Sequence, residues 1–331
     1  MKEMIDGITA VAGIRVGHAQ DEAALTGCTV VLCETGAVGG IDRRGGATST
    51  RQADGLEPWH VVGGVHAVLL TGGSAFGLGA SSGVMRYLDE KGIGYGVGAA
   101  RVPIVAAAAL FDLALGQGKA WPDAAMAYEA CVRAGAEMPA QGSVGAGIGA
   151  TVGKIHGLKQ ATKGGIGTAA RRVGSTDLIV GALVAVNPFG DVVDPENGRI
   201  IAGARRKEPH PGSPFADSMQ LLADWANRGY PRPPTPPLDS TVIGVVATNA
   251  RLTKIEATKV AQMAQDGLAR AVRPAHLMFD GDTIFTLATG EVETHVNVVG
   301  AVAAEVFAAA IVRGVQAAVS MGGLPAADDM A

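Results

Sequence analysis

Residues 230–248 read YPRPPTPPLDSTVIGVVAT, a proline-rich segment that runs directly into a β-branched one. Eight of the 16 prolines of the chain fall between Pro209 and Pro237. Proline favours extended geometry and lacks the N–H that a sheet ladder needs, so this part reads as an extended surface connection. The apolar run that follows is typical of a strand buried on both faces. Thr241 therefore lies at the junction of an exposed tether and a core strand.

The rest of the chain alternates short β-branched runs with alanine-rich stretches. The β-branched runs are bounded by glycine and predict strands at residues 8–12, 28–33, 65–70, 178–186, 242–247 and 283–287. The alanine-rich stretches predict helices at residues 81–91, 123–134, 216–227 and 301–320. A further helix begins at Thr253, because Glu256 three residues later completes a capping box. The sequence therefore predicts an α/β or α+β fold.

Composition excludes several classes of protein. The chain has 331 residues, 48% of them hydrophobic, which is enough for a large core and excludes a disordered protein. The formal net charge of -4 provides no basic field for a nucleic acid. The apolar stretch at residues 102–111 is shorter than the ~18 residues of a membrane span, and no signal peptide is evident. Cys28, Cys33 and Cys131 form no CxxC pair, so we expect reduced thiols, no membrane association and a cytoplasmic location.

One glycine-rich motif is similar to a dinucleotide-binding turn. Gly73, Gly77 and Gly79 follow a predicted strand and open a helix, and Tyr87 and Lys91 have the spacing of the short-chain dehydrogenase pair. That pair lies inside the helix that the loop opens, and no acidic residue ends a following strand about 20 residues on. We therefore interpret the motif as a close-packed turn. Because the seven histidines are dispersed, we expect no cofactor and no metal.

Thr241 is a candidate nucleophile. A threonine hydroxyl needs an adjacent base, and the α-amino group of Thr241 becomes one if the preceding peptide bond is cut. The unperturbed pKa of such an amine, ~7.7 to 8.0, suits a general base near neutral pH. Asp280 and Asp282 precede another predicted strand at i and i+2, a spacing that directs both carboxylates to one face of an extended segment. They are candidates for holding the amine and orienting the hydroxyl, and taken alone they also fit a solvated turn.

Seven segments of the chain together resemble a known family. They are GIRVGH at residues 13–18, RRGGAT at 43–48, LTGGSAFGL at 70–78, GSVGAGIG at 142–149, KGGIG at 163–167, VIGVVAT at 242–248 and DGD at 280–282. The set is similar to the self-cleaving aminopeptidases, which comprise the L-aminopeptidase/D-esterases, the β-peptidyl aminopeptidases and the 6-aminohexanoate-oligomer (nylon oligomer) endo-hydrolases. The resemblance covers almost the whole chain. It implies a layered αββα sandwich, shared with the ornithine acetyltransferases, and self-cleavage into two chains that stay together.

The resemblance also implies roles for individual residues. Cleavage would fall before Thr241, and Asp280 and Asp282 would be the acid pair. A threonine with two aspartates is more similar to the nylon-oligomer branch than to the β-peptide branch. Lys163 resembles the family lysine near the nucleophile, and Asn187 resembles the asparagine that faces the scissile carbonyl.

The position of the cut has one alternative. Cleavage before Thr241 would divide a single domain into an α chain, residues 1–240, and a β chain, residues 241–331. The family usually has Gly or Asn before the nucleophile, whereas this chain has Ser240 preceded by Asp239. The second hydroxyl leaves a cut between Asp239 and Ser240 open.

The activity implied by the resemblance is hydrolysis of linear amides. Small peptides, aminoacyl amides or 6-aminohexanoate oligomers would be the substrates, and the assembly implied is a homo-oligomer, a tetramer of αβ units. Two alternatives remain: an acyltransferase of the ornithine acetyltransferase kind with the same threonine, and a non-catalytic homologue that folds without cutting. The sequence does not select among α-peptides, β-peptides, D-amino-acid amides and ω-amino-acid oligomers.

Overall fold

The structure, a computed structural model, describes residue 4 and residues 7–116, 119–208, 211–227 and 240–330. The strands are β1 Arg15–Asp21, β2 Thr26–Arg43, β3 Thr50–Arg51, β4 Val65–Thr71, β5 Tyr95–Val97, β6 Ala100–Val102, β7 Val105–Ala109, β8 Thr151–Val152, β9 Thr162–Lys163, β10 Gly165–Arg172, β11 Ile179–Asn187, β12 Asp191–Val193, β13 Ile200–Ala202, β14 Thr241–Ala250, β15 Val272–Arg273 and β16 Thr283–Val292. The helices are α1 Ser74–Gly77, α2 Ser81–Glu90, α3 Ala124–Val132, α4 Ser218–Asn227, α5 Lys254–Ala271 and α6 Val296–Gln316.

Strand β2 connects two halves of the sheet. The strand order is β10-β11-β14-β16-β2-β4-β7-β3, with β1 paired to β2. The first half of β2 pairs with β1 and β4, and its second half pairs with β16. The β2–β4 register shifts between Leu32 and Ala37, next to Gly36, whose φ of +83° is the left-handed conformation that glycine adopts without a steric penalty. The long strand therefore changes partners at this irregularity.

The two halves pack face to face. Successive strand residues point to opposite faces of the sheet, so each apolar strand contributes side chains to two separate hydrophobic clusters. The inner cluster joins both halves and includes Val31, Val68, Ala106, Ile243, Val245 and Phe285. Helices α5 and α6 cover the outer face of one half, and α2 and α3 cover the outer face of the other. This order of helix, sheet, sheet and helix is the predicted αββα sandwich.

Helix α5 begins as the sequence predicts. The backbone N–H of Glu256 donates to Thr253 Oγ1 at 3.3 Å, and the N–H of Thr253 donates to the Glu256 carboxylate at 2.8 Å. Both ends of the capping box are thus formed. The helix packs against α6, where a Cβ on Gly267 would lie 2.1 Å from the carbonyl oxygen of Ala304. Glycine is needed there because the two helices approach closely.

Helix α6 is long and apolar enough to cross a membrane by length and composition, with a mean hydropathy of 1.9. Most of its residues are instead buried in the protein, including Val299, Val306, Phe307 and Ile311. It packs on α5, β10 and β11 and contributes to one outer apolar cluster. This packing is typical of a core helix.

Five of the six predicted strands and all five predicted helices are confirmed, with shifted ends. The predicted strand at residues 8–12 is wrong: Ile8–Ala10 is a single 3₁₀ turn. The N–H of Ile8 donates to Thr168 Oγ1 at 2.8 Å, so a side chain replaces a strand partner. Helix α6 begins at Val296, earlier than predicted. The proline-rich residues 228–239 lie outside the described residues.

Candidate active site

The ends of four strands meet at one edge of the sheet. Strands β14 and β16 are parallel, so their first residues, Thr241 and Thr283, lie at the same edge. Strand β11 runs antiparallel to β14 and ends with Asn187 opposite Thr241. Strand β2 runs antiparallel to β16 and ends with Arg43 opposite Thr283. Residues far apart in the sequence therefore converge around Thr241.

The hydroxyl of Thr241 lies beside the carbonyl of the preceding residue. Its Oγ1 donates to the carbonyl oxygen of Ser240 at 2.5 Å, and Thr241 is only 5% exposed. The backbone N–H of Gly281 donates to the same carbonyl oxygen at 2.9 Å. A donor in that position stabilises negative charge on the oxygen when a nucleophile adds to the carbonyl carbon. Gly281 acts here through its backbone N–H, which no side-chain motif in the sequence marks.

Asp282 is tied to β14, the strand that begins at Thr241. Its Oδ1 accepts a hydrogen bond from the N–H of Val242, the residue after Thr241, at 2.8 Å. Its Oδ2 accepts from the N–H of His276 at 3.1 Å and lies 2.9 Å from Nδ1 of the same histidine. One carboxylate oxygen is therefore tied to β14 and the other to His276.

Asp280 lies next to Ser240, and its pKa is raised. The two residues form a parallel bridge, and the Asp280 carboxylate accepts from the N–H of Leu277 at 2.9 Å and of Phe189 at 3.3 Å. Burial raises the pKa of Asp280 to about 7, and the neighbouring charge of Asp282 adds to the rise. A buried carboxyl with a raised pKa is a candidate for acid–base chemistry.

Asn187 is fully buried, and its side-chain amide forms hydrogen bonds with two other segments of the chain. Its Oδ1 accepts from the N–H of Thr151 at 2.9 Å and from the hydroxyl of Thr151 at 3.2 Å. Its Nδ2 donates to the carbonyl oxygen of Phe111 at 3.2 Å. The structure thus brings Asn187 to the same sheet edge as Thr241, opposite it in the ladder. Its contact with a reacting carbonyl remains a prediction.

Lys163 holds a glycine-rich loop. Its Nζ donates to the carbonyl oxygens of Ile148 at 2.6 Å and Ala150 at 3.0 Å, and the side chain is fully buried. Burial lowers the pKa of Lys163 to about 8, against the opposing effect of the Asp112 charge. Ala150 directly precedes Thr151, and Ile148 lies three residues before it. Its predicted role beside the nucleophile remains a prediction.

A second lysine, Lys154, was missed in the sequence. Its Nζ donates to the carbonyl oxygens of Thr151 at 2.9 Å, Asn187 at 2.8 Å and Pro188 at 2.9 Å. Its charge opposes the rise in the pKa of Asp280. No local motif marks this lysine; only the GSVGAGIG run that ends five residues before it pointed to this part of the chain.

The glycine turn after β4 is close-packed, as interpreted. Gly73 has a φ of +79°, and its N–H donates to Asp112 at 2.7 Å. A Cβ on Gly72 would lie 2.0 Å from the same carboxylate, which also accepts from Thr26. Burial raises the pKa of Asp112 to about 6. With Lys154 and other residues, Asp112 lines a small cleft.

Comparison with known proteins identifies the family. The model of peptidase family S58 matches residues 6–327. The chain belongs to this family. It is 41% identical to an uncharacterized aminopeptidase of Mycobacterium bovis, over 98% of both chains. It is 30% identical to a 6-aminohexanoate-oligomer endohydrolase of Kocuria sp., over 85% of this chain and 74% of that one.

A solved structure shows the same fold. The L-aminopeptidase D-Ala-esterase/amidase of Ochrobactrum anthropi, described as a variant of the Ntn hydrolase fold, has a TM-score of 0.70 and 20% identity, over 97% of this chain and 88% of that one. The family resemblance seen in the sequence is therefore confirmed. The protein is a hydrolase that acts on amide bonds.

The contacts of Gly281 yield a test of the site. A Cβ on Gly281 would lie 2.8 Å from Thr241 Oγ1 and 2.9 Å from the carbonyl oxygen of Ala47. We expect Gly281→Ala to displace the hydroxyl and lower kcat/KM for an amide substrate by about tenfold or more, because small misplacements of reacting groups are costly. The control is Gly79→Ala, since nothing lies within 4 Å of a Cβ there. Equal activity of the two variants would contradict this geometry.

Proposed function

We propose that the protein is an N-terminal-nucleophile amide hydrolase that matures by cutting itself before Thr241. The observation that supports this proposal most directly is the Thr241 hydroxyl 2.5 Å from the carbonyl oxygen of Ser240, with the N–H of Gly281 on the same oxygen. The nucleophile, the bond to be cut and an oxyanion donor are thus adjacent in the intact chain. The cut gives an α chain of residues 1–240 and a β chain of residues 241–331.

Maturation begins with addition of Thr241 Oγ1 to the carbonyl carbon of Ser240. Asp280 accepts the hydroxyl proton, and the N–H of Gly281 stabilises the oxyanion. The C–N bond then breaks, its nitrogen takes the proton, and Ser240 is left as an ester on Oγ1. Water hydrolyses the ester, which releases the Ser240 carboxylate and restores the hydroxyl. Asp280 suits the first step because its pKa of about 7 lies near the working pH.

Turnover uses the same hydroxyl with a new base. The freed amine of Thr241 takes the hydroxyl proton as Oγ1 adds to the substrate carbonyl, while Asp280 and Asp282 orient the amine and hydroxyl. Asn187 and backbone N–H groups stabilise the oxyanion. Lys163 supports this arrangement by holding the loop before Thr151, which fixes the Asn187 amide.

We propose linear amides as substrates, including 6-aminohexanoate oligomers. The threonine nucleophile with paired aspartates favours the oligoamide branch, and the 30% identity to an oligomer endohydrolase supports it. The 41% identity to proteins named aminopeptidases supports aminoacyl peptides and amides as a second group of substrates.

Location and assembly are part of the same proposal. A cytoplasmic location is supported by three free, buried cysteines and by the core packing of α6. A homo-oligomer, a tetramer of αβ units, follows only from the family resemblance.

Autocleavage is tested by intact mass spectrometry. Scaling 33.3 kDa by 240/331 and 91/331 predicts fragments of about 24 and 9 kDa. We expect Thr241→Ala to remain a single chain, because it lacks the hydroxyl, and Ser240→Ala to be cut. A small fragment beginning at Ser240 would place the cut one residue earlier. An intact 33.3 kDa chain with full amidase activity would exclude the mechanism.

Maturation is expected to depend on pH through Asp280. Its pKa in the folded chain is raised to about 7, so the ionised form that accepts the proton is scarce at pH 5 and predominant at pH 8. The cleavage rate of freshly translated precursor should rise about tenfold per pH unit below 7 and level off above it. Asp280→Asn should cut slowly at every pH. A wild-type rate that is constant from pH 5 to 8 would assign the proton transfer to another group.

Substrate class is tested by product analysis. Purified enzyme is incubated with a 6-aminohexanoate oligomer, with amino-acid p-nitroanilides and with β-peptides. We expect internal cleavage of the oligomer, since the resemblance favours an endo-acting site. Thr241→Ala provides the blank for each substrate. Release of single N-terminal residues from the other substrates, with an intact oligomer, would instead assign the protein to the aminopeptidase branch.

A further inference from the structure

His276 contacts one of the two acids through both its backbone and its side chain. Its N–H donates to Asp282 Oδ2 at 3.1 Å, and its Nδ1 lies 2.9 Å from the same oxygen. The Asp282 side chain is 2% exposed and the His276 side chain is 21% exposed. A charge-assisted hydrogen bond in such a sheltered position is stronger than one in water.

The backbone of His276 is held in an uncommon conformation. Its φ is +59°, in the left-handed region that residues other than glycine seldom adopt. Strained residues of this kind persist where their surroundings fix them, and they cluster at functional sites. Here the conformation directs both the N–H and the imidazole of His276 at a single carboxylate oxygen.

The next residue supports the other acid. The N–H of Leu277 donates to Asp280 Oδ2 at 2.9 Å. Two successive N–H groups of one loop therefore hold the two acids, one each. The second oxygen of Asp282 accepts from the N–H of Val242, next to Thr241. A continuous set of hydrogen bonds thus runs from His276 through Asp282 to the nucleophile strand.

We propose that His276 is a positioning residue for the amide hydrolase: its Nδ1–H donates to Asp282 and keeps that carboxylate in the orientation that serves Thr241. The proposal rests on the proposed function of Thr241. His276 acts through Asp282 and needs no contact with substrate. The imidazole is thereby assigned the tautomer that carries a proton on Nδ1.

Two variants separate the imidazole from the loop conformation. Asparagine is one of the residues that tolerate the left-handed region, and its Nδ2 is separated from Cα by the same number of bonds as histidine Nδ1. Glycine tolerates the same conformation and keeps the backbone N–H, but it has no side-chain donor. His276→Asn and His276→Gly therefore differ in the one hydrogen bond that the proposal invokes.

The first measurement follows activity. We expect His276→Gly to lower kcat and the rate of self-cleavage by about tenfold or more, which is the scale of a hydrogen bond to a charged group, with KM unchanged. His276→Asn should restore both rates to within about threefold of wild type. Equal rates in the two variants, whether both normal or both low, would overturn the proposal.

The second measurement does not depend on activity. In the Thr241→Ala chain, whose hydroxyl is absent, proton NMR should show a low-field imidazole N–H resonance that disappears in the double variants with His276→Asn and with Asp282→Asn. Absence of that resonance from the Thr241→Ala chain would overturn the proposal. Cleavage of Thr241→Ala itself would contradict the proposed nucleophile and leave the NMR result for His276 and Asp282 intact.

Discussion

The parallel pairing of β14 with β16 is the constraint on which the site depends. It places the first residues of both strands at one edge, so Ser240 lies against Asp280 and the N–H of Gly281 reaches the Ser240 carbonyl oxygen at 2.9 Å. Parallel neighbours need a crossover, and α5 provides it on the outer face of the sheet. The long connection allows Asp280 and Asp282 to follow Thr241 by about forty residues and still lie near it.

Buried charge imposes the second constraint. Asp280, Asp282, Lys154 and Lys163 are each at most 3% exposed, and an unpaired charge at such depth would be strongly destabilising. Backbone groups supply most of the partners: carbonyl oxygens surround both lysines, and N–H groups face both carboxylates. The segments that supply these groups cannot all be regular strand or helix, because regular elements use their own N–H and C=O groups internally. The irregular loops at this edge are therefore a requirement of the site.

Chemistry and patterning predicted much of this arrangement from the sequence. The proline-to-strand junction predicted that Thr241 begins a core strand, and β-branched runs bounded by glycine predicted the main strands. The donors could not be predicted, because Gly281 acts through its backbone and Lys154 through contacts with carbonyl groups of residues far along the chain. The error at residues 8–12 has a similar origin: an apolar segment has the pattern of a strand, but the Thr168 hydroxyl takes the place of a strand partner for Ile8. The local sequence pattern shows which residues are apolar. The groups with which their backbones form hydrogen bonds depend on the order of the strands in the sheet.

The acid pair would also affect the two chain ends that the proposed cut creates in different ways. Cleavage before Thr241 would create a carboxylate on Ser240 and an ammonium on Thr241, both beside Asp280 and Asp282. In a site of low dielectric, ionised acids would attract the ammonium of Thr241 and hold the new N-terminus. They would repel the carboxylate of Ser240 and displace the new C-terminus. In the proposed mechanism, the acids that orient Thr241 would, when ionised, also favour departure of the product that would otherwise occupy the place of a substrate acyl group. A neutral pair in these positions would retain the cut end as readily as release it, so the proposed mechanism requires a second carboxylate as well as the Thr241 hydroxyl.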